Sequence, residues 1–451
     1  MGNTRGTQGP KTVSTKQERI AEIARKHPQE ALTALSHYLD EEWLQAAYRG
    51  LRRDASPGVD SQTVEDYGKE LAGNLASLRE RVKSGGYKVP PVKRAHIPKG
   101  VGSKETRPIG IPTTEDKVLQ RAIVMILSPI YEQEFCEFSY GFREGRSPHQ
   151  ALDYLWKQVM NNRIEWILDL DIRKFFDRMV HSHLREITRK RVRDGIITRL
   201  IDKWLKAGVL EEQKLFYPQE GAPQGGPLSP LLSNIYLHEV LDSWYATEVK
   251  PRMRGGTFMV RFADDAVLGF ERKEDAERVM GVIGKRLEKY GLSLHPEKTR
   301  LLPFGRPEQG NPRVGQIMKP QTFDFLGFTH YWGRSRNGRW IVKRQTAKDR
   351  YSRGLSKIRQ WCRRNRHQSM QDQHKAIVRK LQGHFAYYGI TGNGPRLERF
   401  REEVKKIWHK WLNRRSRRRN DMSWERFSEL VHTRFKLPPA RVVHSIYAAK
   451  P

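Results

Sequence analysis

The hydrophobic and polar positions divide the chain into regions of different periodicity. Near the N-terminus, apolar residues recur at roughly helical spacing, which predicts an amphipathic helix; they are Leu32, Leu35, Leu39, Trp43, Leu44 and Ala47. From about residue 95 to 345, short strand-like apolar runs alternate with longer helical stretches. Beyond about 345 the strand pattern stops and the sequence is helical. The pattern therefore predicts an α+β body followed by an all-α region.

Composition sets the expected boundaries between these regions. We expect a flexible basic N-terminal segment at 1–35, a helical extension at 36–95, an α+β body at 96–345, a helical domain at 346–440 and a tail at 441–451. Within the body, residues 305–319 contain Pro and Gly and predict a loop or an insertion.

Two adjacent carboxylates, Asp264 and Asp265, stand between two apolar runs in the sequence Met259-Val-Arg-Phe-Ala-Asp-Asp-Ala-Val-Leu-Gly-Phe270. This pattern predicts a strand, a tight turn and a returning strand. Adjacent carboxylates repel each other unless a cation neutralises them, and a divalent metal is the usual one. An acidic surface turn is the alternative, because Asp is common in turns.

A further carboxylate, Asp171, ends the apolar run Trp166-Ile-Leu-Asp-Leu-Asp171, which predicts a buried strand. An antiparallel sheet could bring this strand end beside Asp264 and Asp265. Three such carboxylates could hold two Mg²⁺ ions for in-line phosphoryl transfer. Asp169 and Asp177 are competing candidates, since alternation places Asp169 on the same strand face as Asp171.

The charge balance makes a polyanion the expected partner. Lys and Arg number 84 against 51 Asp and Glu, a net charge of +33, which favours nucleic acid over an anionic membrane. Aromatic residues make up 10% of the chain and offer surfaces on which bases stack. A merely basic surface is the alternative, but so much like charge repels itself unless something compensates it.

The helical region carries an apolar stripe backed by basic residues. The stripe consists of Val404, Ile407, Trp408, Trp411 and Leu412, and Lys405, Lys406, Lys410 and Arg414 fall largely off it. Such a helix packs inward and presents charge to phosphates. We expect RNA to be bound by the arginine cluster, which we define as Arg414, Arg415, Arg417, Arg418 and Arg419. A solvated basic face is the alternative.

The cysteine count and the N-terminal sequence exclude several classes of protein. Two cysteines, Cys136 and Cys362, exclude a disulfide scaffold and a Cys-rich zinc module. The N-terminus lacks the apolar core of a signal peptide, and the best apolar run, Ile123 to Tyr131, is too short to cross a bilayer. We expect a cytoplasmic protein with no membrane partner.

Several blocks, taken in order, resemble those of a reverse transcriptase, and the match is closest to the group II intron-encoded type. The blocks are Ile97-Pro-Lys99 with Arg107 to Pro112, Ser139 to Arg146, Asp171 with Phe176, Ala222 to Pro230, Phe262 to Asp265, Leu294 to Thr299, and Phe325 to Phe328. The resemblance covers roughly residues 40–440. It implies a right-hand polymerase, with fingers and palm in the α+β body and a thumb or maturase domain in the helical region.

The resemblance also implies a role for each block. Asp171, Asp264 and Asp265 would be catalytic and, together with Ile172, would form the site for two Mg²⁺ ions. Phe176 resembles the steric gate that leaves no room for a 2′-hydroxyl on the incoming nucleotide. A core Phe is the alternative reading at that position.

Other residues would bind the nucleotide or the primer. Lys99 and Arg107 would clamp the triphosphate, and Gln224 and Gly225 would lie along the nascent base pair. Lys298 would lie near the leaving pyrophosphate, although a surface Lys is the alternative there. The primer grip would be Phe325, Leu326, Gly327 and Phe328, which also have the composition of a plain strand core.

The sequence departs from the family pattern in two places. Phe262 stands where the family most often has Tyr, which removes a hydroxyl but no metal ligand. The gap from Lys99 to Arg107 is slightly longer than in some relatives. Lys99, Lys104 and Arg107 therefore all remain candidates for the triphosphate clamp.

The resemblance implies an RNA-directed DNA polymerase that binds its group II intron RNA and assists splicing and mobility. Its expected partners are that RNA, an RNA template, a DNA primer or target, and deoxynucleoside triphosphates. The alternatives are a free-standing relative recruited to defence or repair, and a splicing maturase with dispensable polymerase activity. The resemblance is to a bacterial protein, and the C-terminal endonuclease domain of many relatives is expected to be absent.

Overall fold

The computed structural model describes residues 13–98, 106–211, 214–216, 221, 225–307, 321–415 and 422–445. Several predictions fall outside these ranges: Lys99, Lys104, Gln224, most of the loop predicted at 305–319, and Arg417, Arg418 and Arg419 of the arginine cluster.

In the part of the chain that the structure describes, the N-terminal part is helical, helices and strands are interspersed from Val92 to Thr346, and only helices follow. The helices are α1 (Val13–Lys26), α2 (Glu41–Arg49), α3 (Val64–Gly68), α4 (Leu71–Lys83), α5 (Thr114–Tyr131), α6 (Pro148–Asn161), α7 (His181–Arg189), α8 (Gly195–Leu205), α9 (Ser229–Leu237), α10 (Lys273–Glu288), α11 (Lys348–Arg364), α12 (Met370–Tyr388), α13 (Gly394–Leu412) and α14 (Trp424–Thr433). The strands are β1 (Val92–Pro98), β2 (Thr106–Ile111), β3 (Trp166–Leu170), β4 (Val209–Glu211), β5 (Lys214–Phe216), β6 (Thr257–Phe262), β7 (Asp265–Phe270), β8 (Arg300–Pro303), β9 (Phe323–Phe325), β10 (Phe328–Arg334) and β11 (Trp340–Thr346).

The N-terminal part is more ordered than its composition predicts. The prediction of a flexible segment at 1–35 is wrong over Val13–Lys26, which form α1 and pack on α5. Ile20 and Ala24 lie in the core, because their spacing of four places both on one helix face. The predicted periodic helix begins only at Glu41, where the Asp40 side chain accepts a hydrogen bond from the Trp43 amide.

A mixed four-stranded sheet follows the N-terminal helices. Its order is β2-β1-β4-β5, in which β1 and β4 are parallel and the other pairs antiparallel. The predicted start of the α+β body at residue 96 falls inside β1, which begins at Val92. The strand extends to Val92 because that residue is buried and its amide donates to the Gly208 carbonyl at 2.8 Å.

The central sheet is wholly antiparallel, with the order β6-β7-β3-β8. Its apolar residues face two cores, one shared with α5, α9 and α10 and the other with α6 and a third sheet. The third sheet has the order β11-β10-β9 and is joined to α6 by a hydrogen bond from Trp156 Nε1 to the Val342 carbonyl. The central and third sheets thus share one hydrophobic core.

The C-terminal part is helical, from α11 to α14, around its own core. Within the predicted stripe of α13, Val404, Ile407, Trp408 and Leu412 are buried, so the pattern of that helix is confirmed. Lys405 departs from the expectation of a basic outer face. It is buried with its ammonium 5.0 Å from the centre of the Trp424 ring, which attracts the cation through its π electrons.

Residues 441–445, which we name the C-terminal strap, fold back onto the helical region. The Val443 amide donates to the Gly389 carbonyl at 2.7 Å, and the Thr391 amide donates to the His444 carbonyl at 3.1 Å. The predicted tail is therefore attached to the body over this stretch, because its backbone groups find partners there.

Two imidazoles lie at the C-terminal end of α12. His149, from α6, contacts the Tyr387 carbonyl at 2.8 Å, and His444, from the strap, contacts the Ala386 carbonyl at 3.0 Å. The two rings stack with their centres 3.5 Å apart. Carbonyl groups in the last turn of a helix have no partner within the helix, and here two other parts of the chain supply one.

The structure confirms a mixed α+β architecture with antiparallel sheets, followed by a helical region. Over the ranges given above, none of the helices is both long enough and apolar enough to cross a bilayer.

Candidate active site

The hairpin predicted around Asp264 and Asp265 is present. β6 and β7 pair from Thr257 with Phe270 to Phe262 with Asp265, and only Ala263 and Asp264 form the turn between them. Ala263 has a φ of +57°, the left-handed conformation that a two-residue hairpin turn requires. The turn therefore presents Asp264, while Asp265 begins the returning strand.

The register of the central sheet brings Asp171 level with Asp265. β3 pairs with β7 from Trp166 with Phe270 to Leu170 with Ala266. Continuing this register by one residue places Asp171 opposite Asp265, and alternation puts both on the same sheet face. Asp171 and Asp265, which are far apart in the sequence, thus lie close together at the same end of two neighbouring strands.

The surroundings of Asp264 and Asp265 raise the pKa values of both residues. Burial and the negative charge of Asp171 raise the pKa of Asp264. The cleft partly removes the Asp265 carboxylate from water, and the negative charges of Asp264, Asp171 and Asp169 repel it. Both effects raise the pKa of Asp265 to about 6, although the residue is exposed at the cleft surface. Excess negative charge at this edge favours binding of a cation.

The donor atoms suit a hard divalent cation. Carboxylate oxygens are preferred ligands of Mg²⁺. Ile172 and Leu294 face each other in an antiparallel β-bridge. The hydrogen bonds of this bridge run from the Arg173 amide to the Ser293 carbonyl and from the His295 amide to the Asp171 carbonyl, so they do not use the Ile172 carbonyl. In the described ranges no three acidic, His or Cys side chains already converge on one point. The ammonium of Lys298, 3.3 Å from Asp171 Oδ2, supplies positive charge there.

The structure separates Asp171 from its two competitors. Asp169 lies within β3 and pairs with Arg300 at 3.1 Å, so a fixed cation already neutralises it. Asp177 is exposed in the 3₁₀ turn after the strand and does not line the cleft. Asp171 follows the strand end directly, level with Asp265, and Asp169 lines the same cleft of about 510 Å³ as these two residues. Its catalytic role stays a prediction.

Phe176 lies beside this strand end. Lys174 turns the chain with a φ of +48°, and the 3₁₀ turn Phe175–Asp177 follows it. Phe175 is the buried member of the pair, whereas Phe176 is half-buried with its ring edge-on to Phe175 at 5.3 Å. The core position is therefore occupied by Phe175, and Phe176 retains an accessible face.

The sheet that contains β2 faces the turn at Asp264 through Arg107. This residue is exposed on β2, and its charge acts to lower the pKa of Asp264 against the larger effect of burial. Lys99 and Lys104 lie outside the described ranges, so Arg107 is the clamp candidate whose position is known.

Gly225 fixes the predicted nucleotide loop against the same sheet. Its φ is +119°, and a Cβ atom there would lie 2.5 Å from the Gly110 carbonyl oxygen on β2. A side chain could not be accommodated without moving that backbone, so only glycine fits. Gly225 is therefore in contact with the strand that carries Arg107, whereas Gln224 lies outside the described residues.

The predicted primer grip forms the tight turn between β9 and β10. Phe325 and Phe328 are buried strand residues, as the alternative reading expected. Leu326 and Gly327 form the turn with φ values of +51° and +80°, and both line the cleft. The Tyr387 hydroxyl donates to the Leu326 carbonyl at 2.9 Å, which attaches the turn to α12.

Sequence reasoning missed a buried network that holds the catalytic turn. Arg261 and Asp242 are both fully buried and form a forked ion pair, with Nε to Oδ1 at 2.7 Å and Nη2 to Oδ2 at 2.5 Å. Arg261 Nη1 also donates to the Ala263 carbonyl at 2.8 Å and to Asn234 Oδ1 at 3.0 Å. A charged residue inside the apolar run of β6 was the available signal.

The segment that precedes α6 is fastened to the same turn. The Arg261 amide donates to the Phe138 carbonyl at 2.9 Å, and its carbonyl accepts from the Tyr140 amide at 2.9 Å. Asn234 donates to the Gly141 carbonyl at 2.6 Å. A Cβ atom on Gly141 would lie 2.2 Å from the Ala263 nitrogen, so the two backbones are in direct contact.

Backbone strain is concentrated at these loops. Among the described residues, the non-glycine residues with positive φ are Ser61, Phe142, Lys174, Ala263 and Leu326. All but Ser61 belong to the loops that surround the carboxylates. Such conformations cost free energy and persist where the surrounding structure imposes them, often at functional sites.

The arginine cluster is only partly described. Arg414 lies 5.5 Å from the centre of the Trp411 ring. Arg415 donates to the Gln368 carbonyl at 3.1 Å, and burial lowers its pKa. Arg415 is thus tied to the loop before α12, and the predicted RNA contacts of the cluster stay a prediction.

Carboxylates at the ends of antiparallel strands, a basic strand facing them and a strained turn across the cleft are the features expected of a nucleotidyl-transfer site of the polymerase type. Residues 97–330 match the family model described as "Reverse transcriptase (RNA-dependent DNA polymerase)", which spans more than half of the chain. The chain therefore belongs to the reverse transcriptase family. The predicted membership of this family is confirmed.

Three proteins with similar sequences indicate the type of reverse transcriptase. "Protein YkfC" of Escherichia coli is 32% identical over 326 residues, 64% of this chain and 84% of that protein. "Group II intron-encoded protein LtrA" of Lactococcus lactis is 37% identical over 227 residues, 49% of this chain and 37% of that protein. "Nuclear intron maturase 4, mitochondrial" of Arabidopsis thaliana is 27% identical over 189 residues, 41% of this chain. The chain thus spans little more than a third of LtrA, and its family fits the group II intron-encoded type.

Proposed function

We propose that the protein is an RNA-directed DNA polymerase that uses two Mg²⁺ ions at Asp171, Asp264 and Asp265. The observation that carries the proposal is the sheet register, which brings Asp171 level with Asp265 beside the Asp264 turn. Its test is extension of a DNA primer on an RNA template with deoxynucleotides and Mg²⁺. Absence of any extension by the folded protein would refute it.

The chain's own residues would divide the work of nucleotidyl transfer. The three carboxylates and the Ile172 carbonyl would hold the metal ions. When bound, the ions would activate the primer 3′-hydroxyl and stabilise the charge of the leaving pyrophosphate. Arg107 would bind the triphosphate from the opposite sheet. Lys298, whose ammonium forms an ion pair with Asp171, would donate a proton to the pyrophosphate.

The right-hand arrangement is part of the same proposal. The four-stranded sheet with β2 would be the fingers, the central and third sheets the palm, and α11 to α14 the thumb. Arg350 of α11 supports this assignment, because it lines the same cleft as Asp265 and acts to lower that residue's pKa.

We further propose that the protein binds a group II intron RNA and assists its splicing and mobility. The names of LtrA and of the plant maturase refer to introns, which favours an intron partner over a free-standing role in defence or repair. The net charge of +33 supports binding to RNA. A cytoplasmic location stays a prediction from the sequence.

Replacement of Phe176 by Val is expected to admit ribonucleotides. The half-buried ring would no longer exclude a 2′-hydroxyl, so we expect discrimination against ribonucleotides to fall by at least about tenfold. The measurement is the ratio of kcat/KM for a deoxynucleotide to that for the matching ribonucleotide. Phe216→Val, at an exposed Phe outside the cleft, is the control. An unchanged ratio would remove the steric-gate role.

Neutralising the arginine cluster is expected to weaken RNA binding and its dependence on salt. Each lost phosphate contact on single-stranded RNA should reduce the slope of log K against log salt by about 0.7, so five Arg→Gln changes should reduce it by up to about 3.5. The control replaces an equal number of exposed basic residues near α10, namely Arg272, Lys273, Arg278, Lys285 and Lys289. Equal effects of the two sets would indicate only a general charge effect.

A further inference from the structure

Phe142 is an exposed aromatic residue in a strained backbone conformation. Its side chain is 58% exposed, and its φ is +57°. A bulky residue is disfavoured in this left-handed region, where its Cβ crowds the following carbonyl oxygen. Neither burial of the ring nor a favourable backbone therefore explains a Phe here.

The residues on both sides of Phe142 are fixed. Before it, Gly141 is in backbone contact with Ala263 of the catalytic turn. After it, Arg143 is buried, and its guanidinium donates to the carbonyls of Cys136 and Ser139 at 2.7 Å each and to Glu132. The strained conformation is thus imposed from both sides, and it holds the ring outward one residue from the catalytic turn.

The sheet order shows which strand of a bound duplex this ring would meet. The loop at 138–142 bridges β6 through Ser139 and Arg261, and β6 is the outer strand of the order β6-β7-β3-β8. The cleft with Lys298 and the turn Leu326–Gly327 lies on the β3 and β8 side instead. We infer that a duplex with its primer strand at that turn would have its template strand toward the β6 edge.

We propose that Phe142 makes an apolar stacking contact with the template strand next to the base pair being formed. This inference rests on the proposed polymerase function. An exposed flat ring stacks on any base, so the contact would position the template without reading its sequence. Arg146, exposed on the same loop, adds positive charge for the backbone of that strand.

The test uses Phe142→Gly in the full-length protein. Glycine removes the ring and relieves the strained backbone, so the variant should unfold at the same or a higher temperature than the wild type. We expect its affinity for a template–primer duplex to fall on the order of tenfold. Phe142→Tyr, which keeps the ring, should bind like the wild type. Ser61→Gly relieves a similar conformation away from the site and should leave binding unchanged.

Abasic substrates identify the strand. If the inference is correct, removing the template base beside the new pair weakens binding by the wild type but not by Phe142→Gly, whereas an abasic primer weakens both proteins equally. Equal sensitivity of the two proteins to the abasic template, or wild-type affinity in Phe142→Gly, would overturn the inference. Both outcomes leave the proposed function standing as long as the wild type extends primers, and that function fails only if the wild type does not.

Discussion

Replacement of Asp264 by Asn is expected to reduce primer extension by at least a factor of about 10³, because it removes the negative charge of a metal ligand from a site that works by electrostatic stabilisation. Asp264 is the residue that the two-residue turn presents, and the charge of Asp171 acts on it. The measurement is single-turnover incorporation of one deoxynucleotide on an RNA template with Mg²⁺.

The same substitution is expected to leave the protein at least as stable as before. The pKa of Asp264 is raised in the folded state, so at neutral pH the ionised carboxylate opposes folding. This cost is full above the folded pKa, shrinks as the pH falls below it, and vanishes below the lower pKa of the unfolded state. A neutral Asn removes the cost at neutral pH. Thermal unfolding without metal should therefore show an equal or higher midpoint for Asp264→Asn.

Asp177→Asn is the matched control, since Asp177 is an exposed carboxylate on the neighbouring turn that does not line the cleft. It should retain primer extension within about a factor of two or three of the wild type. Full activity of Asp264→Asn, or an equal loss in Asp177→Asn, would refute the assignment of the metal ligands.

Replacement of Arg261 by Met is expected to cost about 3–5 kcal/mol in the free energy of unfolding. The reason is that Asp242 would be left fully buried without its counter-charge. Denaturant unfolding measures the loss. The double variant Arg261→Met/Asp242→Leu removes both charges and should recover most of the stability, because a buried ion pair contributes little beyond an apolar pair.

Primer extension should remain low in that double variant although the fold is recovered. Arg261 also donates to the Ala263 carbonyl, so without it the turn that presents Asp264 loses its fixed position. We expect kcat to fall at least tenfold, with a smaller change in the KM for the nucleotide.

Arg344→Met is the control, because Arg344 is a buried arginine that lies outside the catalytic turn, although its partner Asp153 is partly exposed. It should lower stability without lowering kcat per folded molecule. If the double variant regains both stability and kcat, Arg261 has only a structural role.

The hairpin of the site could be predicted from the sequence because its signals are local. Apolar runs on both sides of Asp264 and Asp265 specify two strands and leave only a two-residue turn between them. The same local logic predicted the strand before Asp171 and the stripe on α13. Their mutual placement required long-range pairing, which the resemblance to the family implied and periodicity alone did not show.

The remaining parts of the site depend on contacts that no local pattern encodes. Arg261 joins Asn234 and Asp242 from the helical stretch before it, and the sequence gives no indication that the three meet. The segment Val13–Lys26 forms the ordered helix α1 because it packs on α5, although its polar composition predicts a flexible segment. The separation of Phe175 from Phe176 depends on the left-handed Lys174, which alternation cannot predict.

The end of α12 has a mechanical consequence for polymerisation. Its last turn is bound to α6 through His149, to the C-terminal strap through His444, and to the turn at Leu326 through the Tyr387 hydroxyl. Any displacement of α12 must break these hydrogen bonds or move their partners with it. If RNA bound to the helical region displaced α12, the turn at Leu326, which is the predicted primer grip, would have to move with it or lose the hydrogen bond from Tyr387.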